Sequence, residues 1–297
     1  MGLFFMAIAD IHPVDVQYID NLLAINTYGE WQHDRTSVGQ SKQLFGMHLR
    51  FNTDNQYAPF IQHRTFAPRI AFEEWQWFMS GSTDVSILQD KNIHIWDDNS
   101  TREFLDSQGL HTTPTNTIGK AYGYQFRSFG GVTDQVEQLF NQLKNNPTSR
   151  RHVVSIWNPN DTPEMALTPC AHLYEFMFNN GILNLMVNMR SSDYVFGVPY
   201  NLGTAFFWLF TFSRALGYEM GEILINSTNA HFYKNQLPLA AIIWQSFSGH
   251  EFDMPTVELK KDISSLEDIL DLKFTDFEIQ NWVKGGKLVD FEIDMAV

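Results

Sequence analysis

The chain has 297 residues, of which 44% are hydrophobic and 14% aromatic, with 25 phenylalanines. That supply of apolar side chains builds a large core and excludes an intrinsically disordered chain. A formal net charge of -14 argues against nonspecific polynucleotide binding, which needs a cationic surface to displace counterions.

The opening stretch, MGLFFMAIAD, has no basic segment and reaches Asp10 early, so it reads poorly as a secretory signal. Position six lacks the Ser or Thr that N-myristoylation needs. RIAFEEWQWFMSG, 69–81, predicts an apolar helix closed by Gly81. Glu73 and Glu74 are adjacent in it and cannot share a face. A solvated carboxylate is the ordinary reading and fits Glu73. An inward Glu74 among Trp75, Trp77 and Phe78 would hold its proton more tightly, as general acid–base chemistry requires.

DQVEQLFNQLKNNP, 134–147, sets Val136, Leu139, Phe140 and Leu143 at helical spacing. Asp134 is its cap, with Glu137 three residues on, and Pro147 is its stop. HVVSIW, 152–157, is strand-like. LYEFMF and ILNLMVNMR flank Asn-Asn-Gly, the signature of a hairpin. In the second of these strands Leu183, Leu185, Val187 and Met189 alternate with polar Asn184, Asn188 and Arg190. LGTAFFWLFTFSRALG, 202–217, predicts a buried helix closed by Gly217; its apolar run is too short to span a bilayer. Strands and helices without regular βαβ punctuation predict an α+β fold. No linker or repeat divides residues 1–297, so a single domain is expected.

Cys170 is the only cysteine. It excludes an internal disulfide and a cysteine-rich zinc site, and no metal is expected. The natural setting is a reducing compartment: the cytoplasm, or a host's cytoplasm if the gene belongs to a phage. Within TPCAHLYEF the thiol has two readings, a small buried hydrophobe or a nucleophile activated by nearby cations. Arginines supply half of the 20 basic residues, and a guanidinium fork with a neighbouring hydroxyl grips a phosphomonoester. Arg35 in HDRTS, Arg150 and Arg151 in TSRRH, and Arg190 in MRSSD all carry that pairing; the Arg150-Arg151 pair also reads as a solvated basic turn. His231 and Tyr233 in NAHFY are two apart and share a face on a strand, as ligand contacts or as a structural pair.

Together these segments strongly resemble thymidylate synthase and its pyrimidine hydroxymethylase relatives. The resemblance runs through DRTSVGQSKQLFGMHLRFN, EEWQWFMSGSTD, IHIWDDNSTREFLDSQGL, AYGYQFRSFGG, SRRHVVSIWNPND, MALTPC, MRSSDYVFGVPYNLG, NAHFY and the terminal MAV. It implies a mixed β-sheet packed with helices and a homodimer joined back to back through its sheets. It implies that Cys170 adds to C6 of a pyrimidine nucleoside monophosphate, making C5 nucleophilic toward 5,10-methylenetetrahydrofolate. Arg35, Arg190 and Ser191 match the phosphate grip, and Arg150 and Arg151 match the pair donated across the dimer interface. Asn201 matches the amide that reads the pyrimidine edge and suits uracil, while His231 and Tyr233 match the ribose contacts. Glu74, Tyr122 and Asp193 fall in catalytic blocks. Ile95, Trp96, Leu167, Asp193, Gly197, Tyr200 and Ala296 match folate positions, the last in the tail that closes over the cofactor.

Three departures stand out. Most thymidylate synthases carry His directly after the nucleophile, whereas here Ala171 precedes His172. Asn229 stands for an aspartate, and Lys120 for a proline. They touch the water and proton network rather than the thiol, so the expected product is 5-hydroxymethyl-dUMP, made when water attacks at the transferred carbon. The alternatives are reductive methylation of dUMP to dTMP and hydroxymethylation of dCMP or CMP. A cysteine hydrolase using Cys170 with His172 or His231 lacks any motif for an oxyanion hole or orienting group.

Overall fold

The computed structural model describes residues 14–33, 38–246 and 253–283. Nine helices occur among these residues: α1 Val14–Tyr28, α2 Pro68–Met79, α3 Ser86–Gln89, α4 Arg102–Ser107, α5 Gly123–Ser128, α6 Gln135–Asn145, α7 Gly197–Leu216, α8 Leu237–Ser246 and α9 Leu266–Leu270. The strands are β1 Glu30–His33, β2 Gln40–Asn52, β3 Val153–Ser155, β4 Ala171–Asn179, β5 Ile182–Asp193, β6 Glu219–Tyr233, β7 Thr256–Leu259 and β8 Phe277–Gln280.

Six strands form one sheet in the order β1-β2-β6-β5-β4-β3, and β7 pairs with β8 apart from it. All neighbours in the large sheet are antiparallel except β5 and β6. Parallel neighbours need a long crossover, and α7 supplies it. Its residues Leu202 to Ser213 are all buried, because one side packs on the sheet and the other on α2. Trp75, Phe207 and Trp208 meet there, with Phe72 and Phe126 around them. Each fully buried large apolar side chain contributes about 1.5–3 kcal/mol.

The β4–β5 hairpin turns at Asn180 and Gly181, with φ of 51° and 90°. Two successive positive φ values give the tight turn whose twist matches the strands. Along β5 the residues Leu183, Leu185, Val187 and Met189 are buried and their neighbours are not. Asp134 caps α6 by accepting the Glu137 N–H at 2.9 Å. The helix predicted from residue 202 starts five residues earlier, at Gly197: Pro199 lies in its first turn, where a missing N–H costs nothing. The strand predicted over 152–157 shortens to Val153–Ser155, an edge strand paired only with β4.

Candidate active site

Cys170 lies one residue before β4 and is partly exposed. Its N–H donates to the Tyr122 hydroxyl at 3.1 Å, and its carbonyl accepts the Arg190 N–H at 3.0 Å. Main-chain contacts therefore fix the thiol from two directions. Tyr122 sits at φ 33°, ψ -93°, directly before α5. This backbone is unfavourable for a tyrosine and is held by the packing around it. The ring stacks on Phe78 at 4.6 Å and meets Trp96 edge-on at 5.4 Å.

Trp96 leads onward to Glu74. Its indole N–H donates to Glu74 Oε1 at 2.8 Å. The two glutamates of α2 divide as the helix geometry requires. Glu73 pairs with Lys91 at 2.6 Å, and Glu74 turns inward. Desolvation pushes the Glu74 carboxyl up to about 7, with the Trp96 hydrogen bond working in the opposite direction. Tyr122 and Tyr174 are held well above the ordinary phenol value, chiefly by burial. Both also feel the charges of Cys170 and Glu74. One thiol, one near-neutral carboxylic acid and two phenols are thus electrostatically connected.

Strand β5 ties this cluster to a second one. Arg190 donates from Nε to the Pro169 carbonyl at 3.0 Å, and from Nη2 to the Thr168 carbonyl and hydroxyl at 2.8 and 2.7 Å. The guanidinium clamps the segment that delivers Cys170 and also lies over the Trp157 ring. Ser191 pairs in register with Asn229, and Asp193 with His231. Asp193 Oδ1 accepts the N–H groups of Val195 and Phe196, and Oδ2 accepts from Gln236 at 2.9 Å. Gln236 Oε1 in turn accepts the Tyr233 N–H. A Cβ on Gly197 would lie 3.6 Å from both Asn201 Oδ1 and Asp193 Cβ, so these two side chains flank the same turn. The rings of His231 and Tyr233 meet edge-on at 5.1 Å. Ile95, Leu167 and Tyr200 are partly buried against the core, and the Tyr200 ring meets Phe66 at 5.2 Å.

Two of the predicted residues stand apart. Arg150 and Arg151 are exposed; Arg150 lines a groove on the outer face of the sheet with Glu175, Met177, Met186 and Leu224. Arg35 and Ala296 lie outside the described residues. Gln236 and Tyr174 were not anticipated. Both are buried, and nothing in their local sequence marks them.

The departures also resolve into geometry. Ala171 is buried and paired with Met189, and a bulge separates it from Leu173. His172 turns toward the Trp157 ring at 6.4 Å. Lys120 bonds Glu164 at 2.6 Å and Asp161 at 3.3 Å, so its charge is matched locally. No cluster of potential metal ligands occurs among the described residues, and none of their helices is long and apolar enough to cross a membrane.

This mixed sheet, with a thiol at the head of one strand linked through aromatic rings to a near-neutral carboxyl, has the make-up of a one-carbon transferase. Residues 16–296 match the family described as thymidylate synthase. The bifunctional dihydrofolate reductase-thymidylate synthase of Plasmodium berghei (strain Anka) is 33% identical over 297 residues, covering 96% of this chain and 49% of that protein. The thymidylate synthase of varicella-zoster virus (strain Dumas) is 32% identical over 280 residues, 90% of each chain. The bifunctional protein of Leishmania major is 34% identical over 296 residues, 95% of this chain and 55% of its own. The chain belongs to the thymidylate synthase family, and it spans about half the length of the bifunctional relatives it matches.

Proposed function

We propose that the chain, acting as one catalytic domain in a reducing compartment such as the cytoplasm, methylates dUMP reductively to dTMP. The observation that carries this reading is the linkage Cys170–Tyr122–Trp96–Glu74, a positioned thiol joined to a carboxyl raised to about 7. The names of its relatives support methylation over the hydroxymethylation expected from the departures.

Cys170 Sγ forms a bond to C6 of the uracil, and the displaced electron pair makes C5 nucleophilic. Asn201 offers a donor and an acceptor to O4 and N3–H. Glu74, poised near neutrality, moves protons at the O4 edge. Arg190, Ser191 and Arg35 grip the phosphate, with Arg150 and Arg151 arriving from a second copy. His231 and Tyr233 hold the ribose. We assign Ile95, Trp96, Leu167, Asp193, Gly197 and Tyr200 to the folate; the apolar and aromatic side chains of this set suit a flat heterocycle. When bound, 5,10-methylenetetrahydrofolate supplies the one-carbon unit and, for methylation, the hydride.

A homodimer accords with the outer sheet face, where Met177 is 58% exposed beside Met186 and Leu224. Light scattering on the purified chain tests it; a monomer at micromolar concentration sinks the shared-site reading.

Hydroxymethylation of dUMP is the second reading, favoured by one observation. Buried Ala171 places a methyl group where the family's imidazole is expected. Dihydrofolate forms only in methylation, so ultraviolet absorbance decides between them. A steady rise with dUMP supports dTMP formation; hydroxymethylated product without that rise transfers the assignment to the second reading.

A further inference from the structure

Asn229 poses a problem of orientation. A carboxylate facing a histidine Nδ1 can only accept, so the ring keeps its proton on Nδ1. An amide can also turn its NH2 toward the ring, which forces the proton to Nε2. In a Ser-His-Asp triad the corresponding Asp-to-Asn change costs about 10⁴ in kcat by trapping the wrong tautomer.

Here the amide is held. His231 Nδ1 lies 3.1 Å from Asn229 Oδ1 and 3.4 Å from the Asn229 main-chain carbonyl, so the amide oxygen is the nearer of its two partners. Asn229 Nδ2 donates to Gln43 Oε1 at 2.8 Å, and Gln43 Nε2 donates to Ser41 Oγ at 2.8 Å. Each amide in this row accepts from one side and donates to the other. Reversing Asn229 would set its NH2 against the ring and its oxygen against the Gln43 oxygen. The row exists because β2 runs antiparallel to β6. Gln43 lies opposite His231 in register, and Ser41 opposite Tyr233. His231 and Ser41 are buried, so water does not readily replace a lost partner.

We propose that Gln43 is a positioning residue: it locks the Asn229 amide and thereby keeps the His231 proton on Nδ1. The Nε2 lone pair is then the face offered to a ligand hydroxyl. Resting on the reading above, in which His231 and Tyr233 hold the ribose, that hydroxyl is the 3'-OH of the nucleotide. Gln43 therefore sets selectivity for a 3'-hydroxyl without touching the substrate.

The first test needs no ligand. Nitrogen-15 spectra of histidine-labelled full-length protein at mildly alkaline pH should show His231 with a protonated Nδ1 and a bare Nε2. A protonated Nε2 in the wild type overturns the proposal. The second test is calorimetric, with dUMP and its 3'-deoxy analogue as probes. Gln43→Met should weaken dUMP about 3- to 10-fold, the worth of one neutral hydrogen bond, and leave the analogue unchanged. It should also bring in the Nε2–H tautomer. The double variant Gln43→Met/Asn229→Asp should restore both the wild-type tautomer and the wild-type ratio of affinities, because a carboxylate accepts whichever way it turns. Equal weakening of both nucleotides, or no rescue by Asn229→Asp, overturns the proposal and leaves Gln43 a packing role. Wild-type protein with Nδ1–H but no preference for dUMP over the analogue overturns the ribose reading instead and leaves the lock standing.

Discussion

The Trp96 indole N–H donates to Glu74 Oε1 at 2.8 Å, while burial drives the same carboxyl up to about 7. The two effects oppose one another. Burial favours the protonated acid, and the indole favours the anion. The acid is thereby poised close to neutrality, where it can both give and take a proton.

Glu74→Gln should lower kcat by about 10² to 10⁴, the usual worth of a general acid–base group. It should also stabilise the fold at alkaline pH. The folded carboxyl is raised from 4.5 to about 7, so the folded state binds more protons between those values and wild-type stability falls as pH rises through them. The penalty is complete above the folded value and amounts to at most about 3 kcal/mol. Urea denaturation of both proteins at about pH 5 and about pH 8 reads it. A difference between them that does not change with pH would show that Glu74 is not desolvated.

Trp96→Phe keeps an aromatic ring against Tyr122 and removes the N–H donor. The Glu74 carboxyl then loses the one interaction that lowers it. The limb of the pH–rate profile belonging to Glu74 should move to higher pH. A shift to lower pH would contradict the assignment.

Arg190→Lys should damage both kcat and KM. The guanidinium already spends Nε and Nη2 on the segment carrying the thiol, and an ammonium cannot fork in that way. The fold should lose about 1.5–3 kcal/mol, the range for a hydrogen bond to a charged group. A change in KM alone would mean that Arg190 serves the phosphate and not Cys170.

Arg150→Ala/Arg151→Ala and Cys170→Ala protomers should each be inactive. Mixed and refolded together, they should regain activity, because one site of the hybrid has its own thiol and its partner's arginines. Continued inactivity in a sample shown to contain hybrid dimers would place each site within one chain.

Local signals carried much of the fold. The cap of α6, the Asn-Gly turn and the alternation along β5 are short-range patterns with direct physical causes, and they emerged where read. The start of α7 was missed because Gly197 and Pro199 look like loop residues, although a proline suits a helix's first turn. The inward turn of Glu74 was legible from the tryptophans beside it. Gln43 and Gln236 were not. Gln43 meets Asn229 across 186 residues and Gln236 meets Asp193 across 43, so only the tertiary fold brings these amides to their partners. Arg190's grip on Thr168 and Pro169 was hidden likewise: a polar arginine on a strand face does not announce that it faces a carbonyl.

Release of tritium from C5 of labelled dUMP, measured with 5,10-methylenetetrahydrofolate for wild type and Cys170→Ala, tests the central claim most directly. Both product outcomes require attack at C6 before the C5 hydrogen can leave. The wild type should release tritium steadily, and the variant should fall by at least about 10⁴, as when a catalytic nucleophile is lost. Release by a folded Cys170→Ala protein at a rate near the wild type's would contradict the account.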